Sequence, residues 1–189
     1  MKKFAPALAV AILAVSSQQA VANDRYEYPY VGVSGGVAEL DDFCKDLNDN
    51  TIPSCDDDAT FYRIFSGARL LKHFGSEVGY THTRWFGTDE AKIRPQALDV
   101  TGNFYFPLGD NVDIYAKAGG FLWRTKIREG LAEGSEEGID FKTGIGARIG
   151  FGKTVSIRAD FDWIPEFGNS SIKGTTDLYF VSAGLQFGF

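Results

Sequence analysis

The chain has 189 residues, a formal net charge of −6, 14% aromatic residues and 22 glycines. That length suits one domain. The acidic balance argues against nucleic acid as a partner, because no basic run is present to neutralise phosphates, and no apolar stretch is long enough for a membrane-spanning helix.

In chain order, Lys2 and Lys3 precede an apolar segment, Phe4 to Val15, and a small-x-small site, Ala20-Val21-Ala22. The pattern predicts a cleaved export signal over residues 1–22 and a mature domain over residues 23–189. Losing two lysines and no acid takes the formal charge from −6 to −8. No cysteine follows the site, so a lipoprotein is not expected. Export without a spanning helix leaves a soluble periplasmic protein or a β-barrel.

Eight strand-like runs follow. The first is Tyr28 to Leu40, then an acidic segment, Asp41 to Ala59, holding Cys44 and Cys55. In an oxidising compartment these two predict a disulfide closing a short loop, with a stabilisation of about 2–3 kcal/mol on the chain-entropy model. Asp46-x-Asn48-x-Asn50 copies the opening of a calcium loop, but Thr51 stands where glycine is needed and Pro53 follows; with Asp56, Asp57 and Asp58 it reads as a solvated acidic loop, and no metal or cofactor is expected. Thr60 to Lys72 and Ser76 to Phe86 are joined by a short turn at His73 to Gly75, and Gly87 to Pro95 is a polar connection. Gln96 to Phe106 alternates most clearly: Leu98, Val100, Phe104 and Phe106 share one face, and Asp99, Thr101, Asn103 and Tyr105 the other.

Pro107 to Asn111 is a turn, followed by Val112 to Trp123, a charged connection Arg124 to Gly138, Ile139 to Phe151, the two-residue turn Gly152-Lys153, and Thr154 to Ile164. A last connection, Pro165 to Thr176, leads to the terminal run. There Val181, Ala183, Leu185, Phe187 and Phe189 oppose Ser182, Gly184, Gln186 and Gly188.

Connections therefore alternate long and short, as in an up-and-down barrel with turns at one end and loops at the other. The faces exclude a soluble sandwich, which would put charges outside and Leu and Phe inside. Here the apolar rows need a bilayer, and the glycine-rich, charged rows suit a narrow lumen. Strand-end aromatics form two expected girdles: Trp85, Phe86, Trp123 and Trp163 at the loop side, and Tyr28, Tyr30, Phe74, Phe106, Phe151 and Phe189 at the turn side. The predicted fold is all-β, an eight-stranded antiparallel up-and-down transmembrane β-barrel. Closure leaves no free edge, so a monomer is expected.

Leu185-Gln186-Phe187-Gly188-Phe189, Ile114-Tyr115-Ala116-Lys117-Ala118-Gly119-Gly120, Glu77-Val78-Gly79-Tyr80 and Ile157-Arg158-Ala159-Asp160-Phe161-Asp162-Trp163 resemble, in order and spacing, the OmpA-type eight-stranded outer membrane barrel family, including the small OmpX and Ail-like barrels. The terminal Phe189 is similar to the family's insertion signal. The resemblance implies an outer membrane location in a Gram-negative bacterium, contact with lipid and lipopolysaccharide, and passage through periplasmic chaperones and the barrel-assembly machinery. Because the chain stops at the eighth run, no peptidoglycan-binding domain is expected.

The resemblance also implies a lumen crossed by salt bridges. Glu77, Lys117, Arg158, Asp160, Arg69 and Arg148 are candidates by alternation, with Arg63, Asp99 and Lys142 also pointing inward. Buried charges of this kind should pair with one another. Gly144 and Gly146 lie mid-strand and read as room for lumen side chains, not as a phosphate loop. Of the two histidines, His73 lies at a turn and His82 near an outer strand end, with no triad spacing; an enzyme is not expected. The function that follows is structural or surface-interactive, through four extracellular loops whose partner the sequence does not name. The rival is a small passive channel gated by the lumen salt bridges.

Overall fold

A computed structural model describes residues 28–41, 57–87, 91–129, 132–151, 154–168 and 176–189. Its strands are β1 (Tyr28–Leu40), β2 (Asp58–Leu71), β3 (Phe74–Thr83), β4 (Phe86–Gly87), β5 (Ala91–Pro107), β6 (Val112–Glu129), β7 (Ala132–Phe151), β8 (Val155–Phe167) and β9 (Thr176–Gly188). β3 and β4 lie end to end along β5, separated by Arg84 and Trp85, so the segments make eight staves. The order β3-β2-β1-β9-β8-β7-β6-β5 closes through a β3–β5 pairing, and every pairing is antiparallel. Closure gives each stave two hydrogen-bonded neighbours, the condition for placing backbone in hydrocarbon.

The period-two pattern separates wall from lumen. On β5, Val100 is 53% exposed while its neighbour Asp99 is 0% exposed. On β9, Val181, Leu185, Phe187 and Phe189 face outward, and Ser182 and Gln186 face inward. The outward row from Phe189 up to Tyr179 spans about 25 Å once strand tilt is included, the height of a barrel's apolar band.

Two expectations need correction. Within the connections read as 87–95 and 124–138, residues 91–95, 124–129 and 132–138 are strand. The β5–β6 ladder continues to Ala91↔Glu129 and the β6–β7 ladder to Glu129↔Ala132, so three staves project well past the apolar band. Once outside lipid the outward row turns polar, which erases the amphipathic pattern without ending the backbone pairing. The aromatic girdles are also smaller than predicted. Phe74, Phe106, Phe151, Phe189 and Trp163 are exposed on the outer wall, but Tyr30, Phe86 and Trp123 are buried inside the barrel. The export signal, Cys44, Cys55, the Asp46-x-Asn48-x-Asn50 segment and the Gly152-Lys153 turn lie outside the described residues.

Candidate functional site: a tiered lumen

Three layers fill the barrel. At the turn end Asp113 lies between two arginines: Arg69 Nη1 donates to its Oδ1 at 3.2 Å and Arg148 Nε to its Oδ2 at 3.0 Å. Arg148 also donates to the Tyr28 hydroxyl, and Arg69 caps the β2–β3 turn by donating from Nε to the Lys72 carbonyl at 3.1 Å. The guanidinium of Arg69 lies 4.4 Å over the Tyr105 ring.

The middle layer is a charged belt. Glu77 accepts from Tyr30 Oη (2.9 Å), Arg63 Nη1 (2.8 Å) and Arg158 Nη1 (2.7 Å). Arg63 also holds Asp99 with both Nε (3.2 Å) and Nη2 (2.6 Å). Arg158 grips Asp160 with Nε and Nη2, each at 2.8 Å. Lys117 Nζ lies 2.7 Å from Asp160 and 2.8 Å from Asp162, and Lys142 Nζ lies 3.4 Å from Asp99 and 3.3 Å from Asp162. Arg63, Lys117, Lys142 and Arg158 therefore balance Glu77, Asp99, Asp160 and Asp162, all of them buried. Such balance matters because an unpaired ion in this low-dielectric wall costs several kcal/mol, roughly.

The register of β2, β1, β9 and β8 makes room for the belt. In one row across these strands, Arg63 pairs with Ser34, Ser34 with Gly184, and Gly184 with Arg158. Two long cations thus flank two small residues and reach inward without crowding. Phe65 lies between them, 5.2 Å from the Arg63 guanidinium and 4.3 Å from that of Arg158. A Cβ on Gly79 would stand 2.4 Å from Arg63 Nη2, one on Gly144 2.5 Å from Asp162 Oδ1, and one on Gly146 2.4 Å from the Tyr115 ring. These glycines are cut-outs for the neighbouring side chains. Beneath the belt, Tyr30 and Tyr105 hydroxyls meet at 3.3 Å, and Tyr115 donates to Asp160 at 2.7 Å.

The third layer, at the loop end, was not legible as such in the sequence. Leu40, Phe61, Phe86, Phe121, Trp123, Ile164, Phe167, Leu178 and Phe180 form a buried apolar cluster inside the barrel. Phe61 and Phe180 pack edge to face at 4.8 Å, and the tilted rings of Trp123 and Phe167 lie 5.0 Å apart. The indole Nε1 of Trp123 donates to Asp140 Oδ2 at 2.6 Å, fixing the ring. Lys142 Nζ lies 5.8 Å from the Phe121 ring, so plug and belt touch. A signal for part of this layer exists: Phe61 shares the parity of Arg63, and Phe121 and Trp123 that of Lys117. Phe167 carries no such signal, because a register shift between Ile164 and Phe167 puts residues of opposite parity on one face.

Alternation grouped six charges as one network, and the structure divides them. Glu77, Lys117, Arg158 and Asp160 meet in the belt, while Arg69 and Arg148 meet at Asp113 in the lower layer. Phe189 ends the wall at the turn side, exposed. The His82 ring lies 5.2 Å from the Tyr62 ring on the outer wall, tilted against it, and His73 Nδ1 lies 2.9 Å from the Tyr105 carbonyl at a turn.

The description "OmpA-like transmembrane domain" matches residues 24–189. Outer membrane protein A of Yersinia pseudotuberculosis is 24% identical over 204 residues, covering 100% of this chain and 56% of that protein. The chain spans about half the length of the curated relatives it matches. Among solved structures, Neisserial surface protein A superposes with a TM-score of 0.68 at 16% identity, covering 85% of this chain and 97% of that one. Ail, the attachment invasion locus protein of Yersinia pestis, solved in complex with the heparin analogue sucrose octasulfate, gives 0.59 at 12% identity, covering 86% and 99%. These likenesses concern the barrel itself.

Proposed function

Because the chain belongs to the OmpA-like transmembrane domain family and is a barrel of the bacterial outer membrane, we propose that it serves as a closed membrane scaffold with a structural and surface-contact role, not as a through-pore. The loop end, with its β5–β6–β7 extension, faces the exterior in this reading and is the contact surface. The observation that carries it is the stacking of two seals: a charge-balanced belt and, above it, an apolar plug of Phe61, Phe121, Trp123, Phe167 and Phe180. An ion entering from the loop end would first shed water among a packed cluster of aromatic and aliphatic side chains that replaces little of its hydration. No catalytic activity is proposed.

The test is single-channel recording of the refolded barrel in planar bilayers. A silent bilayer supports the closed scaffold; steady openings of the unmodified protein overturn it. The channel reading draws on one feature, the duplicate partners within the belt: Arg63 holds both Glu77 and Asp99, and Arg158 both Glu77 and Asp160. One bond of each set can break while the other persists, as a gate requires. Openings that vanish when the Glu77 and Lys117 charges are altered would establish that reading.

A further inference from the structure

Charges at the loop end are segregated by sign around the barrel, which a net charge conceals. Rows of paired residues descend as they circle the wall. A row that starts at Glu39 on β1 returns to that strand at Pro29, ten positions lower. Allowing for that descent, Glu39, Asp41, Asp58 and Asp177 on β1, β2 and β9 stand at nearly the height of Arg84, Arg94 and Arg124 on the staves of β3, β5 and β6, with Lys126 just above. Each sector contains a like-charged pair directly opposite in the ladder: Arg94 faces Lys126, and Glu39 faces Asp58. Such pairs repel. Among the described residues Arg84, Arg94, Lys126, Glu39 and Asp58 form no ion pair, and Arg94 Nε is buried without a hydrogen-bond partner.

The two sectors lie on opposite sides of the cylinder. In the closed order β3-β2-β1-β9-β8-β7-β6-β5, two staves separate the β9–β1 pair from the β5–β6 pair in either direction. Beneath both sectors the lipid-facing row is small at matching depth. Gly35 lies in register with Ala183 on one wall, and Gly102 with Ala118 on the other. Gly120, above Ala118 on the same face, has open space where a Cβ would stand. Small residues let two walls approach closely in hydrocarbon, where dispersion rather than water exclusion drives contact.

We propose that the barrel associates side by side with further copies of itself, the cationic β5–β6 sector of one copy against the anionic β9–β1 sector of the next. Copies in one membrane share one orientation, so the two sectors meet at the same height. Each copy supplies the counter-ions that its neighbour's own wall lacks. The contact is heterologous, and its two patches lie half a turn apart, so repetition builds an open row and not a closed dimer. Side chains make the contact; the closed sheet keeps every strand pairing it has. The inference needs the chain to span the membrane and is independent of which end faces outward and of whether the lumen conducts.

The barrel is refolded into vesicles of phosphatidylcholine alone, without divalent cations, with a donor or an acceptor dye at the amino terminus. Energy transfer between copies is compared with the random-mixing level at the same lipid ratio. Transfer above that level is expected at about 20 mM salt, with association about tenfold weaker at about 500 mM, where exposed charges are screened. Arg94→Glu/Arg124→Glu/Lys126→Glu reverses the cationic sector, and Glu39→Lys/Asp41→Lys/Asp58→Lys reverses the anionic one. Each variant alone should associate about tenfold more weakly, and an equimolar mixture of the two should regain the original level. Gly120→Leu should weaken association with the charges intact. Heat-modifiable mobility verifies that every variant is folded. Random-level transfer by the unmodified barrel at low salt, reversed variants that associate undiminished, or a mixture that does not recover overturns the proposal. Transfer that arises only when an anionic lipid or calcium is added gives the sectors to those ligands and overturns direct contact. Saturation at two copies overturns the open row, and an unaffected Gly120→Leu overturns the close approach of the walls.

Discussion

Replacing Glu77 by glutamine isolates the belt's contribution to stability. The side chain keeps its size but loses the charge that Arg63 Nη1 and Arg158 Nη1 contact at 2.8 and 2.7 Å, and its new amide would point a donor at one of them. Each charge-assisted bond is worth about 1.5–3 kcal/mol. Neither arginine is orphaned, because Asp99 still holds Arg63 through two bonds and Asp160 still holds Arg158 through two. The retained amide oxygen also accepts from one donor. The expected loss is therefore about 3 kcal/mol, at the low end for breaking a buried pair. Reversible urea unfolding of the vesicle-embedded barrel, followed by the fluorescence of its three tryptophans, reads it. Repeating the change on an Arg158→Gln background should recover more than about 1 kcal/mol of coupling. A loss under about 1 kcal/mol, or additivity in the double variant, would refute the belt as a coupled unit.

Phe121→Ala empties the centre of the plug, where Phe121 meets Phe167 and Phe180; the same urea titration should show a loss of about 3–5 kcal/mol. Gly146→Ala drives a Cβ to 2.4 Å from the Tyr115 ring and should cost about 1–3 kcal/mol, with weakening of the Tyr115–Asp160 bond visible as a shift of the Tyr115 hydroxyl resonance. Spin labels at Val181 and Ser182, adjacent residues on opposite faces, should differ sharply: membrane-dissolved oxygen relaxes the first and not the second. Equal accessibility would mean that wall and lumen are reversed.

Much of the architecture is present in single residues and their parity. Asp99, Asn103 and Tyr105 on one side of Gln96–Phe106, and Val100, Phe104 and Phe106 on the other, determine which face meets lipid, because a strand's side chains alternate whatever its neighbours do. The same parity places Glu77, Lys117, Arg158 and Asp160 inside the barrel. It was less informative for aromatics. Trp123 and Phe86 end the runs read from the sequence, as girdle residues do, yet point inward, and β6 continues past Trp123 to Glu129; position along a strand and direction around the barrel are independent variables, and only the second decides burial. Charge was equally misleading at the rim. A formal −6 is a sum over the chain, whereas Arg94, Lys126 and Arg124 become one patch because β5 and β6 pair at that register.

The sequence alone therefore determined strand number, the sidedness of each strand and the all-β barrel, since these follow from a period of two and the lengths of connections. The tertiary structure decided which charges meet. Arg69 and Arg148 join Asp113 and not the belt, because the heights of residues on different staves depend on register around the closed cylinder. It also decided that Phe167 enters the plug, through a register shift beside Glu166, whose φ of 54° departs from extended backbone. Both are consequences of closure: a ring of hydrogen-bonded neighbours sets the height and direction of every side chain at once, and no local window of residues contains that constraint.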